Sequence, residues 1–494
     1  MKKALSVVLA LCIALSLTVP AFAAQKACDC GDLPIVLVSG MGVLPFTRDA
    51  GTPQAEVVFP PHPNIAKCVL RGLRGLFMTL FTFDVKPFAD AAADIALDML
   101  LPMACDADGN SLYNVAPQLI EGAMSEQDAS LYEDAGSAEF AIIRSAVQAV
   151  DADHVYYYNF DWRLDPMTNA DDLKAYVDRV LRETGHEKVR LAACSMGGVQ
   201  TMAYLEKYGH DKVDTIWFLS AAFCGLLFVT NVFSGELQFS QESFFGWLQT
   251  LEVGSEKTDK VFDKLMGWCA HAKLFAPLFS LTNKLSDKVN SIVIDRVIRK
   301  TLSTMPGMWS FVRDERYEED KKATLPLDAS ETFVRRIDDY HYNVSCRREE
   351  ILNAAAEDGV QIVVISHYNN GCVPVTSSAL AHGDSLIETT CSSGGATVAD
   401  YGYTLPEGYV QQGCKEHNHL SADGVIDAST CMFPDSTWFI KNMAHVGCNK
   451  DSDYAEMLRW MFAQKTQPTV FSDARYPQFL QTDAKTQMTL SPVE

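Results

Sequence analysis

The sequence predicts an α/β domain: a mainly parallel sheet flanked by helices and interrupted by helical cap insertions. Three observations carry that reading. Short apolar, β-branched runs recur, helix-periodic stretches follow them, and two long insertions at about 44–150 and 225–345 break the alternation. Residues 33–39 form the first run, apolar through its centre and closed by Gly40, as in a parallel strand buried on both faces. Residues 154–160 form the second. Over 171–183, Leu173, Val177, Val180 and Leu181 share one helical face, and Gly185 stops the helix. Residues 188–193 predict a third strand, 199–208 the helix after it, and 213–221 and 360–366 two further strands. The insertions hold apolar helical pieces, 69–83 and 88–103 in the first and several in the second. Loops that follow sheet strands accept such additions, so both are expected to cap a site rather than fold alone.

The start of the chain reads as an address. Lys2 and Lys3, the uncharged run over 4–17, and small residues at Ala21 and Ala23 have the pattern of a secretory signal peptide cleaved near Ala23. The product is then expected to be secreted or extracytoplasmic, with the domain over 24–464 and a polar tail over 465–494. The formal charge of −22, or −24 without Lys2 and Lys3, excludes attraction to nucleic acid or anionic membranes by charge. Transient contact with a lipid surface would have to be hydrophobic. Residues 215–235 are uncharged over 21 positions, the length of a membrane helix. Ser220, Thr230, Asn231 and Ser234 favour instead a strand running into an apolar lid.

Thirteen of the 14 cysteines remain after cleavage. An odd number leaves at least one free thiol, expected to be Cys194. Cys28 and Cys30 are too close to bridge each other and are expected to pair elsewhere. Cys414, His417 and His419 have metal-donor chemistry, but no second ligand group of matching spacing accompanies them. A disulfide from Cys414 to Cys391 or Cys431 is the expectation, and neither metal nor cofactor is implied.

The chemistry centres on 191–198, Leu-Ala-Ala-Cys-Ser-Met-Gly-Gly. A serine in a sharp strand-to-helix turn needs small residues two before and two after it, because larger ones would strike the neighbouring strand and helix. Ala193 and Gly197 meet that demand, and Gly198 lets the helix approach closely. Ser195 is the expected nucleophile. Its oxyanion donors are expected to be the Met196 N–H and the Met41 N–H, the latter flanked by Gly40 and Gly42 after the first strand.

The base should follow Ser195 in the chain, with the acid between them. Residues 362–374 resemble a strand and acid loop in which Asn-Asp-x-x-Val-Pro is frequent, but Asn370 stands at the acid's position. A neutral amide does not stabilise an imidazolium as a carboxylate does. Downstream, Asp423 and Gly424 open a loop like the acid loop of many lipases, and His445 lies 22 residues later. Asp423 is therefore the expected acid and His445 the expected base; Asp384 is the runner-up acid and Asp427 follows it. His417 and His419 precede Asp423, against the expected order.

Residues 159–165, Asn-Phe-Asp-Trp-Arg-Leu-Asp, are similar to the Tyr-Asp-Trp-Arg block of the lecithin:cholesterol acyltransferase and lysosomal phospholipase family. There too a helix and then the nucleophile strand follow. Residues 305–309, Met-Pro-Gly-Met-Trp, and the Asp423 loop also resemble family features. Ala193 and Cys194 replace the family's Gly-His, and Ser39 stands where proline is usual. The chain thus resembles the α/β-hydrolase superfamily, and within it this family and bacterial lipases. The resemblance implies the α/β-hydrolase fold and transfer of an acyl chain from a phospholipid or related ester to water or an alcohol. Calcium-dependent bacterial lipases place Asp two residues after the base; Gly447 stands there, so no structural calcium is expected at that position. Trp162 and Arg163 are expected to pack and to form a salt bridge.

These readings converge on a secreted serine hydrolase acting on lipid acyl esters. The alternatives are a small-ester esterase or peptidase with the same triad, or a catalytically inactive hydrolase-like binding protein if Asn370 marks a broken triad.

Overall fold

Runs of Val, Ile, Leu and aromatic residues build one sheet of eight strands. They are β1 (Ile35–Val38), β2 (Val155–Tyr158), β3 (Val189–Cys194), β4 (Val213–Leu219), β5 (Gln361–Tyr368), β6 (Thr437–Lys441), β7 (Phe479–Thr482) and β8 (Leu490–Pro492). Their order across the sheet is β8-β7-β6-β5-β4-β3-β1-β2, parallel throughout except for the β7–β8 pair. The computed structural model describes residues 28, 30–61, 64–134, 136–236, 264, 267–268, 286–372 and 381–494. Residues 1–23, expected to be a signal peptide, lie outside the described residues, and so does the part of the second insertion between 237 and 285 apart from residues 264, 267 and 268.

The helices used below are α1 (Ile65–Thr82), α2 (Lys86–Leu100), α3 (Ala138–Val150), α4 (Pro166–Thr184), α5 (Gly197–Tyr208), α6 (Leu227–Ser234), α7 (Ser286–Arg296) and α8 (Asp453–Phe462). Side chains alternate across the strands and so divide the core in two. Val36, Val38, Leu191, Ala193 and Phe218 pack with α4 and α5, while Ile35, Leu37, Ala192 and Trp217 pack with α3 and α8. The predicted helix after β2 forms as α4. Asp165 caps it by accepting from Met167 N–H, Pro166 opens it, and Gly185 ends it in the left-handed conformation.

The connection from β1 to β2 carries a small antiparallel sheet (Phe46–Arg48, Glu56–Phe59, Val115–Pro117), then α1, α2 and finally α3. α3 belongs to the layer covering the main sheet, since Phe140, Ile142 and Ile143 are buried against it. Arg163, fully buried, ties this insertion to the domain. It donates to Asp161, Val115 O, Met103 O and Ser111 Oγ. Trp162 packs edge-on against Phe46 and Phe59, and Gly307 N–H donates to Arg163 O at 3.0 Å. From the second insertion, α7 docks on α2 through Arg296, paired with Asp90 and Asp94.

Three expectations are corrected. Residues 465–494 are not merely a polar tail: they add β7 and β8 to the sheet, because Leu480 and Thr482 alternate inward and bury. The twelve cysteines among the described residues are all free, and Cys414 stands beside His417 and His419 rather than Cys391 or Cys431. Cys28 and Cys30 face each other at 3.0 Å instead of pairing elsewhere. The uncharged stretch 215–235 divides into β4, a turn at Ser220 and the short helix α6. No helix among the described residues is long and apolar enough to cross a membrane.

Candidate active site

The site lies at the C-terminal ends of the parallel strands, where loops from neighbouring strands converge. β3 runs straight into α5, and Ser195 between them is held at φ 50°, a conformation that costs a non-glycine residue energy. Its backbone is fixed on both sides: Ser195 N–H donates to Leu219 O at 3.1 Å, and its carbonyl accepts from Gly198 N–H and Ala222 N–H. Glycine is required two residues on, since a Cβ at Gly197 would meet Val38 O at 2.1 Å.

The structure brings Ser195 and His445 together but not Asp423. His445 Nε2 lies 2.9 Å from Ser195 Oγ, and its Nδ1 lies 2.7 Å from Asp384 Oδ2. Asp423 instead accepts from Lys441 Nζ at 2.8 Å and from Tyr368 O–H at 2.9 Å. The expected acid is thus corrected from Asp423 to Asp384. Asp427 is also engaged elsewhere, accepting from Ser429 and from Tyr409 O–H.

A hairpin explains how Asp384 arrives. After β5, Asn370–Gly371 pairs antiparallel with His382–Gly383, which sets Asp384 beside Asn370. The carboxylate missing at Asn370 is supplied from the adjacent strand. Asn370 keeps a structural task, donating from Nδ2 to Met443 O at 2.7 Å and so steadying the His445 loop. Gly383 allows the crossing, because a Cβ there would meet Ile387 O at 2.4 Å. The signal in the sequence was His382-Gly383-Asp384-Ser385 downstream of the vacant acid position; only strand pairing shows that the two positions adjoin.

Asp384 is fully buried, which opposes its ionisation. The charge and hydrogen bond of His445, with the Ile387 N–H, outweigh that burial and hold its carboxyl below the usual range. His367 lies behind the loop, its Nδ1 2.9 Å from Ala444 O. Burial pushes its pKa down to about 4, so it stays neutral and braces the residue preceding His445.

The Ser39–Gly42 turn passes directly against the serine: a Cβ at Gly40 would stand 3.0 Å from Ser195 Cβ. Sequence reasoning missed Glu139 of α3, which organises this turn. Its Oε1 accepts from Gly40 N–H at 2.7 Å and its Oε2 from Tyr157 O–H at 2.8 Å. Burial lifts the Glu139 carboxyl to about 7 against these two donors. Gly40 N–H is therefore committed, which leaves Met41 as the next N–H on the turn. Met196 directly precedes α5, whose N-terminus adds a positive partial charge at the same place.

A family model described as alpha/beta hydrolase fold matches residues 147–306, a stretch that includes Ser195. The class that the sheet and this match define is the α/β-hydrolase fold. Among solved structures, a chain of the Tle4–Tli4 complex is similar at 10% identity and a TM-score of 0.31, over 70% of this chain and 76% of that one. The meta-cleavage product hydrolase CumD of Pseudomonas fluorescens is similar at 11% identity and a TM-score of 0.20, over 49% of this chain and 70% of that one. Both likenesses are distant. The matched fold and the site geometry together support a hydrolase.

Proposed function

We propose that the chain is an exported serine hydrolase that cleaves or transfers acyl chains of lipid esters through an acyl-enzyme on Ser195. The observation that carries this reading is the continuous contact from Ser195 Oγ to His445 and on to the buried Asp384. Ser195 Oγ attacks the ester carbonyl carbon while His445 Nε2 takes the hydroxyl proton. The C–O bond to the alcohol then breaks, and His445 returns the proton to that leaving oxygen. Water or an acceptor alcohol releases the acyl group by the same steps in reverse. Asp384 accepts from Nδ1–H and stabilises the imidazolium without taking its proton. The Met41 and Met196 N–H groups serve the oxyanion, where most of the barrier reduction arises.

Apolar exposure on the first insertion supports a lipid substrate. Leu70, Phe77 and Phe81 of α1 and Phe83 at its end are 66–86% exposed, and Phe77 stacks on Phe81. Such a face loses contact with water only against another apolar surface, such as an aggregated ester. This supports the implied kinship with lipases and the lecithin:cholesterol acyltransferase family over a small-ester esterase or peptidase. A fluorophosphonate probe tests the serine: it should label Ser195 in the wild type and nothing in a folded Ser195→Ala variant. An unlabelled, folded wild type would establish the inactive binding-protein reading instead.

A further inference from the structure

Four donor side chains meet at the edge of the sheet opposite Ser195. Cys28 and Cys30 precede β1, His154 immediately precedes β2, and His186 lies between α4 and β3. β1 is flanked by β2 and β3, with Ile35 level with both Val155 and Arg190. The segments entering three neighbouring parallel strands therefore converge at one place. Ser195 follows the far end of β3, whose length at about 3.3 Å per residue places the two sites roughly 20 Å apart.

The donor atoms aim at a common centre rather than pairing off. His154 Nε2 lies 3.3 Å from Cys30 Sγ, 3.6 Å from Cys28 Sγ and 3.4 Å from His186 Nε2. Cys30 Sγ lies 3.7 Å from His186 Nε2, and all four donors fall within 4.8 Å of one another. A tetrahedral zinc with Zn–S near 2.3 Å and Zn–N near 2.0–2.1 Å has ligand-to-ligand edges of about 3.3–3.8 Å, which those four separations match. The two sulfurs, 3.0 Å apart, stand about 1 Å beyond disulfide length and need only spread slightly to reach such an edge. On the far side of its ring, His154 Nδ1 faces Asp153 Oδ1 at 3.2 Å. A carboxylate there fixes the tautomer that leaves Nε2 free to ligate.

We propose that Cys28, Cys30, His154 and His186 form a structural zinc site that ties the entry of β1 to the entries of β2 and β3. Two thiolates and two imidazoles suit Zn²⁺ in softness, and the loaded site is electrically neutral. Four protein ligands leave no open position for a substrate, so the metal holds the fold rather than taking part in turnover. Binding releases the two thiol protons to solvent. The expectation of no metal, made from spacing alone, could not see ligands drawn from three separate segments. This site is independent of what Ser195 acts on.

The test uses the full chain expressed with zinc and purified without chelators. Elemental mass spectrometry should find about one zinc per chain at this site, as for structural metals that fold with their ligands. Exchange for Co²⁺ should bring thiolate-to-cobalt charge-transfer absorption and the visible bands of a tetrahedral ion. Cys28→Ser combined with Cys30→Ser, and separately His186→Ala, should lose this equivalent, whereas Cys414→Ser at the other Cys–His cluster should leave it in place. Should those variants unfold, His186→Cys keeps four ligands and should retain the metal with stronger charge-transfer absorption. A wild type that takes up neither zinc nor cobalt with its thiols reduced, or metal retained in full by the Cys28/Cys30 double variant, overturns the proposal.

Discussion

His445 Nδ1 lies 2.7 Å from Asp384 Oδ2, across a separation of 61 residues. The bond forms because the His382–Gly383 strand folds back on Asn370–Gly371, at the end of the strand that neighbours β6. Asp384 is also held from its own side, its Oδ1 accepting from Leu386 N–H and Ile387 N–H. A carboxylate so fixed cannot turn away from the imidazole.

Asp384→Asn should therefore reduce kcat by on the order of 10⁴, the scale seen when a triad acid becomes an amide. Asp423→Asn should stay within about tenfold of wild type, since it only weakens contacts to Lys441 and Tyr368. Steady-state kinetics on a nitrophenyl ester decides between them. A larger loss at Asp423 would remove Asp384 from the proposed mechanism.

Gly197→Ala should destabilise the fold by about 3 kcal/mol or more, because the added methyl strikes the carbonyl of Val38 in a strand paired on both sides. Gly72→Ala provides the contrast: its Cβ meets nothing within 4 Å on α1, and the substitution should gain up to about 1 kcal/mol in helix propensity. Urea unfolding midpoints should move in opposite directions for the two variants.

Glu139 gives the stability a pH dependence of known sign. Its carboxyl titrates near 4.5 when unfolded and at about 7 when folded, so between those values the folded state binds more protons. Stability is then lost as pH rises through that window, by roughly 3 kcal/mol relative to Glu139→Gln. Urea midpoints from pH 4.5 to 8 should show the variant gaining on wild type; a constant difference would contradict this. Glu139→Ala removes the acceptor from Gly40 N–H and should lower kcat roughly ten- to hundredfold with little change in KM, because the turn carries the Met41 donor.

Lipid preference should depend on α1. Efficiency should climb from acetate toward longer acyl esters, by up to roughly 0.8 kcal/mol for each methylene that becomes buried. Phe77→Ser with Phe81→Ser should depress hydrolysis of emulsified long-chain esters several-fold more than that of soluble butyrate, since both rings face solvent. Rates that peak at acetate would leave a small-ester esterase.

The sequence by itself determined what local pattern can carry. β-branched runs marked β1 to β5, Gly185 marked the end of α4, and the small residues around Ser195 marked the turn, because each signal spans only a few adjacent positions. His445 was legible from chain order and its place after an apolar segment. The tertiary structure decided the rest. Which carboxylate reaches His445 depends on a two-residue strand pairing between Asn370 and Gly383, too short to leave a periodic signature. Glu139 meets Gly40 across 99 residues, and the four Cys and His donors join only once β1 settles between β2 and β3. Residues far apart in the chain become neighbours through strand order and register, and neither is written in any local run of amino acids.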